Sequence, residues 1–268
     1  MPIDPELRSL DIDVPARPDA LVQLSLLLAD EAVNLEAVGA LVESDMSLAA
    51  AVMKAINSSL YGLKGRVQSV QQAVSYLGTR EVAGIAFEMG LRAAFPAAPE
   101  LEPVWSRAAL RGLWMGRLAQ AMDLDAWAAH SAGLFEECGK AVLFRHAPEH
   151  YRSMLRAADS DPELCQIERT GFGVSHDALG AALCESWGLG QLTVASVRHH
   201  VEAQDTHLFE GALPRRQILA LSVFVDAMMQ GSDTLDELAA ELGPAVELDP
   251  AALLRAGRRL MSQLEDAA

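Results

Sequence analysis

Apolar residues recur at helical spacing along the whole chain, and short runs of capping and turn residues separate the periodic stretches. Leu21, Leu24, Leu27 and Leu28 follow Pro18, a residue suited to the first turn of a helix. Leu35, Val38, Leu41 and Val42 follow Asn34, and Leu48, Val52, Ala55 and Ile56 follow Asp45. Steps of three and four put each set on one helix face, and Asn and Asp are good N-caps. Ser69 and Gln72 form an S-x-x-Q capping box. That box opens a helix whose predicted core face is Val70, Ala73, Val74 and Leu77, with Gly78 at its end. Composition agrees: 45 alanines and 39 leucines make 84 of 268 residues, whereas isoleucine and threonine total 11. The abundant pair forms helices and the scarce pair favours strands, so the predicted fold class is all-α.

The clearest punctuation is Pro96-Ala97-Ala98-Pro99. It divides the chain into an N-terminal helical subdomain, residues 1–98, and a second helical subdomain, residues 99–268. In the second, the pattern predicts helices over 103–122, 126–138, 148–158, 161–170, 175–187, 191–202, 214–230, 233–242 and 249–266. The net charge is −16, which repels a phosphate backbone and disfavours broad nucleic-acid binding. No apolar run reaches the ~18 residues that span a bilayer, so membrane insertion is not expected. The N-terminus lacks the basic start and apolar stretch of a signal peptide. Three cysteines, Cys138, Cys165 and Cys184, include no CxxC pair and fit a reducing cytoplasm.

Two segments carry a family likeness. The first runs Asp45 to Ser58, continues through Tyr61-Gly62, and ends in Ser69-Val70-Gln71-Gln72-Ala73-Val74-Ser75-Tyr76-Leu77-Gly78. The second is Ala132-Gly133-Leu134-Phe135-Glu136-Glu137-Cys138-Gly139-Lys140, followed downstream by His176, Gly180, Trp187 and His199-His200. Together, over residues 14–205, they resemble the HDOD (HD-related output) domain, a degenerate relative of the HD phosphohydrolases. The resemblance implies a compact multi-helix domain with an N-terminal helical subdomain packed on a degenerate HD-like subdomain. It also implies a role in bacterial signalling, beside cyclic-di-GMP turnover and receiver domains, as an interaction module without general enzymatic activity.

The residues at the parent metal positions bear this out as an expectation. A phosphohydrolase of the HD type needs a divalent metal held by histidines and an aspartate. Glu136 and Glu137 stand where the His-Asp pair would be, and Arg107 and Arg111 stand near the upstream ligand. A guanidinium cannot ligate a cation and repels it. No metal, cofactor or catalytic residue is therefore expected. His176-Asp177 is the only His-Asp dipeptide, but its surroundings read as a helix start, with Asp177 favouring the helix N-terminus. His199 and His200, about 100° apart on a helix, read as one core and one surface histidine. Asp226, alone in an apolar helix, reads as a partner for His199, His200 or an arginine. Arg107, Arg111, Glu136, Glu137, His176, His199, His200 and Asp226 thus outline a vestigial pocket. Asn57, Ser58 and Ser59 read as a helix-terminating turn, or else a turn that docks a partner.

The functional expectation is a cytoplasmic, non-catalytic regulatory protein that binds another signalling protein. Two alternatives stay open. One is a divergent metal-dependent phosphohydrolase using Glu136, Glu137, His176 and His199 or His200. The other is a sensor holding a small anion or nucleotide near Arg107 and Arg111.

Overall fold

The computed structural model describes residues 12–28, 35–58 and 67–265, and among them all regular structure is helical. The chain divides into two compact units. One comprises residues 16–94 with 258–268, and the other residues 1–15 with 95–257.

The first unit is built from α1 (Asp19–Leu28), α2 (Leu35–Ser44), α3 (Met46–Ile56), α4 (Val70–Leu77) and α5 (Thr79–Ala93). Local chemistry sets the starts. The Asp45 carboxylate accepts from the amides of Ser47 and Leu48 at 2.9 and 3.0 Å, capping α3. Ser69 Oγ accepts from Gln72 N at 3.1 Å. The return arm of this box goes to Gln68 N, one residue earlier than the cap itself, at 2.8 Å. Gly78, with φ +86°, ends α4 in a conformation that a side chain would strain. Leu21, Leu24, Val38, Val42, Val52, Ile56, Val70 and Val74 are buried at the predicted faces. Each such side chain contributes about 1.5–3 kcal/mol of burial. Two expectations change. Pro18 lies just before α1, its carbonyl accepting from Leu21 and Val22, rather than inside the first turn. Leu77 is half-buried at the end of an eight-residue helix, while Val74 one turn earlier is fully enclosed. The cap expected at Asn34, and the Tyr61-Gly62 turn, lie outside the described residues.

The second unit begins with a 3-10 turn at Pro99–Leu101. It continues with α6 (Glu102–Ala121), α7 (Ala126–Phe135), α8 (Cys138–His146), α9 (Pro148–Ala157) and α10 (Asp161–Phe172). Then come α11 (His176–Ser186), α12 (Gln191–Thr206), α13 (Leu213–Met229) and α14 (Leu235–Ala245), and the last helix, α15 (Pro250–Glu265), contributes residues 250–257 to this unit and 258–265 to the first. Contacts run from α6 to α7, α8 to α11, α11 to α12, α12 to α13, and from α13 back to α6. Small residues permit the closest of these. A Cβ on Gly139 of α8 would stand 1.9 Å from the His176 carbonyl oxygen of α11, so only glycine fits there. Trp187 packs edge-on against Phe135, and its indole N–H donates to the Pro15 carbonyl at 2.8 Å. Trp105 and Trp114 are also buried, whereas Trp127 is half-buried and stacks on His130.

The helix expected over 126–138 ends at Phe135, and a further helix, α8, fills a stretch where none is expected. The chain leaves helical geometry at Glu137 (φ −94°, ψ 3°) and restarts as α8, which the periodicity does not predict. No proline or glycine marks this break. The turn delivers Glu136 and Glu137 into the interior, where most of their partners come from other helices. No helix among the described residues is long and apolar enough to cross a membrane.

Candidate functional site

The site lies wholly within the second unit. On α6, Arg107 and Arg111 are four residues apart and so share a face. The α7–α8 turn supplies Glu136 and Glu137, α8 supplies Lys140, α10 opens with Asp161, and α13 supplies Asp226. These seven side chains form one ion network. Arg111 Nη1 donates to Glu137 at 2.7 Å and its Nη2 to Asp226 at 2.7 Å, while its Nε lies 3.2 Å from Glu136. Arg107 grips both oxygens of Glu137. Lys140 Nζ reaches Glu137 at 3.2 Å and both oxygens of Asp161 at 2.7 and 3.0 Å. Arg111 is 4% exposed and Glu136 fully enclosed.

The two neighbouring glutamates are pushed in opposite directions. Burial raises both, but Lys140, Arg107 and Arg111 outweigh it at Glu137 and hold its carboxyl well below the usual range. At Glu136 burial wins over the attraction of Arg111, and the carboxyl is pushed up to about 7. Glu136 also accepts from Gln204 at 3.3 Å, yet its Oε1 has no hydrogen-bond partner. With Glu136 neutral, Glu137, Asp161 and Asp226 balance Arg107, Arg111 and Lys140. A cleft of about 540 Å³ opens over this network, lined by Arg107, Arg111, Glu137, Lys140, Asp161 and Asp226 among others.

A histidine pair adjoins the network through Asp161. His176 opens α11 and His200 lies in α12; both are buried, with ring centroids 5.6 Å apart. Glu168 of α10 holds His176 twice, accepting from its backbone N–H at 2.7 Å and contacting its Nδ1 at 2.8 Å. Burial pulls the His176 imidazole down, but the Glu168 charge and the bonds from Cys165 and Glu168 outweigh it, giving about 10. Burial and the charge on His176 push His200 to about 4. His200 Nδ1 contacts the Val197 carbonyl at 2.7 Å. The amide at the start of α11 is thus taken by Glu168, and Asp177 does not cap. Asp177 accepts instead from Arg198 at 2.6 Å and from the Ser175 hydroxyl.

Arg107, Arg111, Glu136, Glu137 and Asp226 therefore meet in one network, and Asp226 pairs with an arginine rather than a histidine. His176 and His200 meet each other beside it. His199 points away, half-exposed, with its Nδ1 3.6 Å from Glu202. Asn57 lies in the other unit at the end of α3, where its side-chain amide donates to the carbonyls of Met53 (3.0 Å) and Val67 (3.1 Å). Ser58 follows it, and Ser59 is outside the described residues. Sequence reasoning did not find Lys140, Asp161, Glu168, Arg198 or Gln204 as site residues. Lys140 stands three residues after Glu137 in the quoted segment, which is the one local signal; Asp161 and Glu168 read only as parts of a helix.

A divalent metal at the position of the parent His-Asp pair does not fit these residues. The guanidinium of Arg111 already lies within 2.7–3.2 Å of Glu136, Glu137 and Asp226, where such an ion would have to sit. The donors beside it differ. One ligand atom each from Asp161, His176 and His200 lies within 4.8 Å of the others, and Cys165, Glu168 and His176 satisfy the same distance.

An uncharacterized protein of Treponema pallidum is 25% identical over 192 residues, covering 70% of this chain; the match spans 37% of that protein's length. The fold is shared with a candidate signal transduction protein of Marinobacter aquaeolei (TM-score 0.75, 24% identity, 97% of this chain and 61% of that one). It is shared as well with a candidate phosphohydrolase of Shewanella amazonensis (TM-score 0.71, 16% identity, 98% of both chains). Residues 14–203 match the HDOD domain, and the chain belongs to that family.

Proposed function

We propose that this protein is a non-catalytic regulatory module that acts by binding another signalling protein, in the setting of bacterial signal transduction such as cyclic-di-GMP control. The observation that carries the reading is the buried Arg111 guanidinium, bonded to Glu137 and Asp226 and in contact with Glu136. An organic cation anchored to α6 can neutralise carboxylates but cannot generate the bound hydroxide that a divalent ion supplies, and its Nη donors are already taken by Glu137 and Asp226. The network also speaks against a small-anion sensor. Each of Arg107, Arg111 and Lys140 already has a carboxylate partner, and Asp159, Asp161 and Asp226 line the same cleft. The Marinobacter relative of the fold, described as a candidate signal transduction protein, fits this reading.

The test is hydrolysis of cyclic-di-GMP and of nucleotides by the purified protein with added Mn²⁺ or Mg²⁺. No turnover is expected. Turnover that Glu137→Ala abolishes would overturn the reading. The second reading, a divergent metal-dependent phosphohydrolase, is favoured by one observation, the donor set of Asp161, His176 and His200. It requires metal-dependent turnover that His200→Gln removes.

A further inference from the structure

We propose that the α12–α13 loop, residues 207–212, together with Arg215 docks a protein segment that carries an apolar side chain beside an aspartate or glutamate. The proposal rests on the partner-binding reading and names the surface and the chemistry of the partner. The loop displays apolar groups that the fold does not cover. Leu208 is 70% exposed, Ala212 and Pro214 are exposed, and Phe209 is half-buried beside them. A single exposed leucine is ordinary, but several apolar residues in one short loop form a patch. The loop is also held in place. His207 ends α12 in the left-handed region, at φ +53°, and its Nδ1 lies 3.0 Å from Glu241 of α14. Leu208 N donates to Thr206 Oγ1 at 3.2 Å, and Arg215 N donates to the Ala212 carbonyl at 3.0 Å. A loop braced in this way loses little freedom on binding.

Arg215 supplies the polar half of the surface. A Cβ on Gly211 would stand 3.2 Å from its Cδ and 3.3 Å from its Nη1, so the guanidinium lies along the loop. Its Nε is buried without a hydrogen-bond partner, and among the described residues no carboxylate pairs with it. Arg107, Arg111, Lys140, Arg152 and Arg198 of the same unit each hold a carboxylate. A carboxylate brought by a partner would supply the missing charge, and a guanidinium gives such a contact direction as well as attraction. Arginine beside apolar groups is also typical of protein interfaces, where lysine and glutamate are depleted. Charge selects among occupants. A single carboxylate can be placed on Arg215 alone, whereas an extended anionic lipid surface would also meet the exposed Asp205 and Glu210. A second copy of the chain brings its own net charge of −16 and is repelled.

The experiment selects random peptides, displayed on phage, against the immobilised full-length chain and measures the affinity of those enriched. The expected peptides join Leu, Ile, Phe or Trp to Asp or Glu. Their affinity should fall about tenfold or more in Leu208→Ser and in Arg215→Gln. It should be unchanged in Tyr76→Ser, an exposed position in the other unit. Selection repeated on Arg215→Glu should return basic peptides instead, a reversal that a folding defect does not produce. No enrichment, or peptides that bind Leu208→Ser and Arg215→Gln as they bind the wild type, overturns the proposal. So does binding to phosphatidylglycerol vesicles, or self-association in sedimentation, that Leu208→Ser removes. Turnover of cyclic-di-GMP would sink the partner-binding reading, whereas peptides that bind elsewhere on the chain would sink only this surface.

Discussion

The ion network, buried at Arg111, Glu136, Glu137 and Lys140, adjoins the buried histidine pair through Asp161, yet the two solve burial in opposite ways. In the network each cation touches a carboxylate, and Glu136 approaches neutrality where pairing falls short. In the pair, each ring is held at Nδ1 and left empty at Nε2. The first arrangement is closed: nothing can be added without expelling an arginine. The second is open. Mutations should separate the two, because removing a member of a saturated network exposes its partners, while removing an orphan atom removes a cost.

The largest effect is expected at Arg111. Arg111→Ala leaves Glu137 and Asp226 without their shared partner and should destabilise by about 3–5 kcal/mol, the usual cost of breaking a buried pair. Urea unfolding of the variant measures it. A loss below about 1 kcal/mol would show that the network is not held as described.

Gly139→Ala attacks the close contact between α8 and α11. The added methyl would stand 1.9 Å from the His176 carbonyl oxygen and 2.8 Å from the Gly180 nitrogen, so α8 and α11 must part. Backbone atoms cannot rotate away, and a cost of about 3 kcal/mol, at the upper end for overpacking, is expected in the same unfolding assay. A neutral result would mean that the helices are not in close contact.

The helical architecture was legible because its signals are local. Asp45, Ser69 and the apolar steps between them act within one turn, and both caps form as expected. The same locality explains the misses. The break at Glu137 carries no breaker residue, and Glu137's partners lie on α6 and α8, 30 and 26 residues upstream for Arg107 and Arg111. Glu168 looked like an ordinary helical glutamate, and only its placement beside the first residue of the next helix makes it hold His176. His199 and His200 were separable in kind by the helix angle, but which one faces inward depends on how α12 is turned against α11.

The adjacent glutamates give a pH test of smaller size. Glu136 has its folded pKa raised from 4.5 to about 7, so the folded state binds the extra proton. That contribution is fully present below 4.5 and is lost as pH rises to about 7. Glu137 is shifted the other way, so its contribution is present above 4.5 and lost as pH falls below it. Glu136→Gln should therefore flatten the stability profile between pH 4.5 and 7 and gain about 1–3 kcal/mol over the wild type at pH 8. Glu137→Gln should lose stability at neutral pH instead. Identical profiles for the two variants would erase the distinction between them.

The smallest effect is the most discriminating. His200→Leu removes one buried imidazole whose Nε2 has no hydrogen-bond partner. The Val197 carbonyl that loses contact with Nδ1 sits inside α12, where helical bonding to the backbone remains available. The replacement is apolar and of comparable size, so the change in stability should stay within about 1 kcal/mol, and a slight gain is allowed. Set against Arg111→Ala at similar burial, this ordering tests what the two regions are for. A residue kept for folding is expensive to remove. A histidine that costs little to remove is not kept for folding. If His200→Leu costs as much as Arg111→Ala, the pair is structural and the contrast collapses.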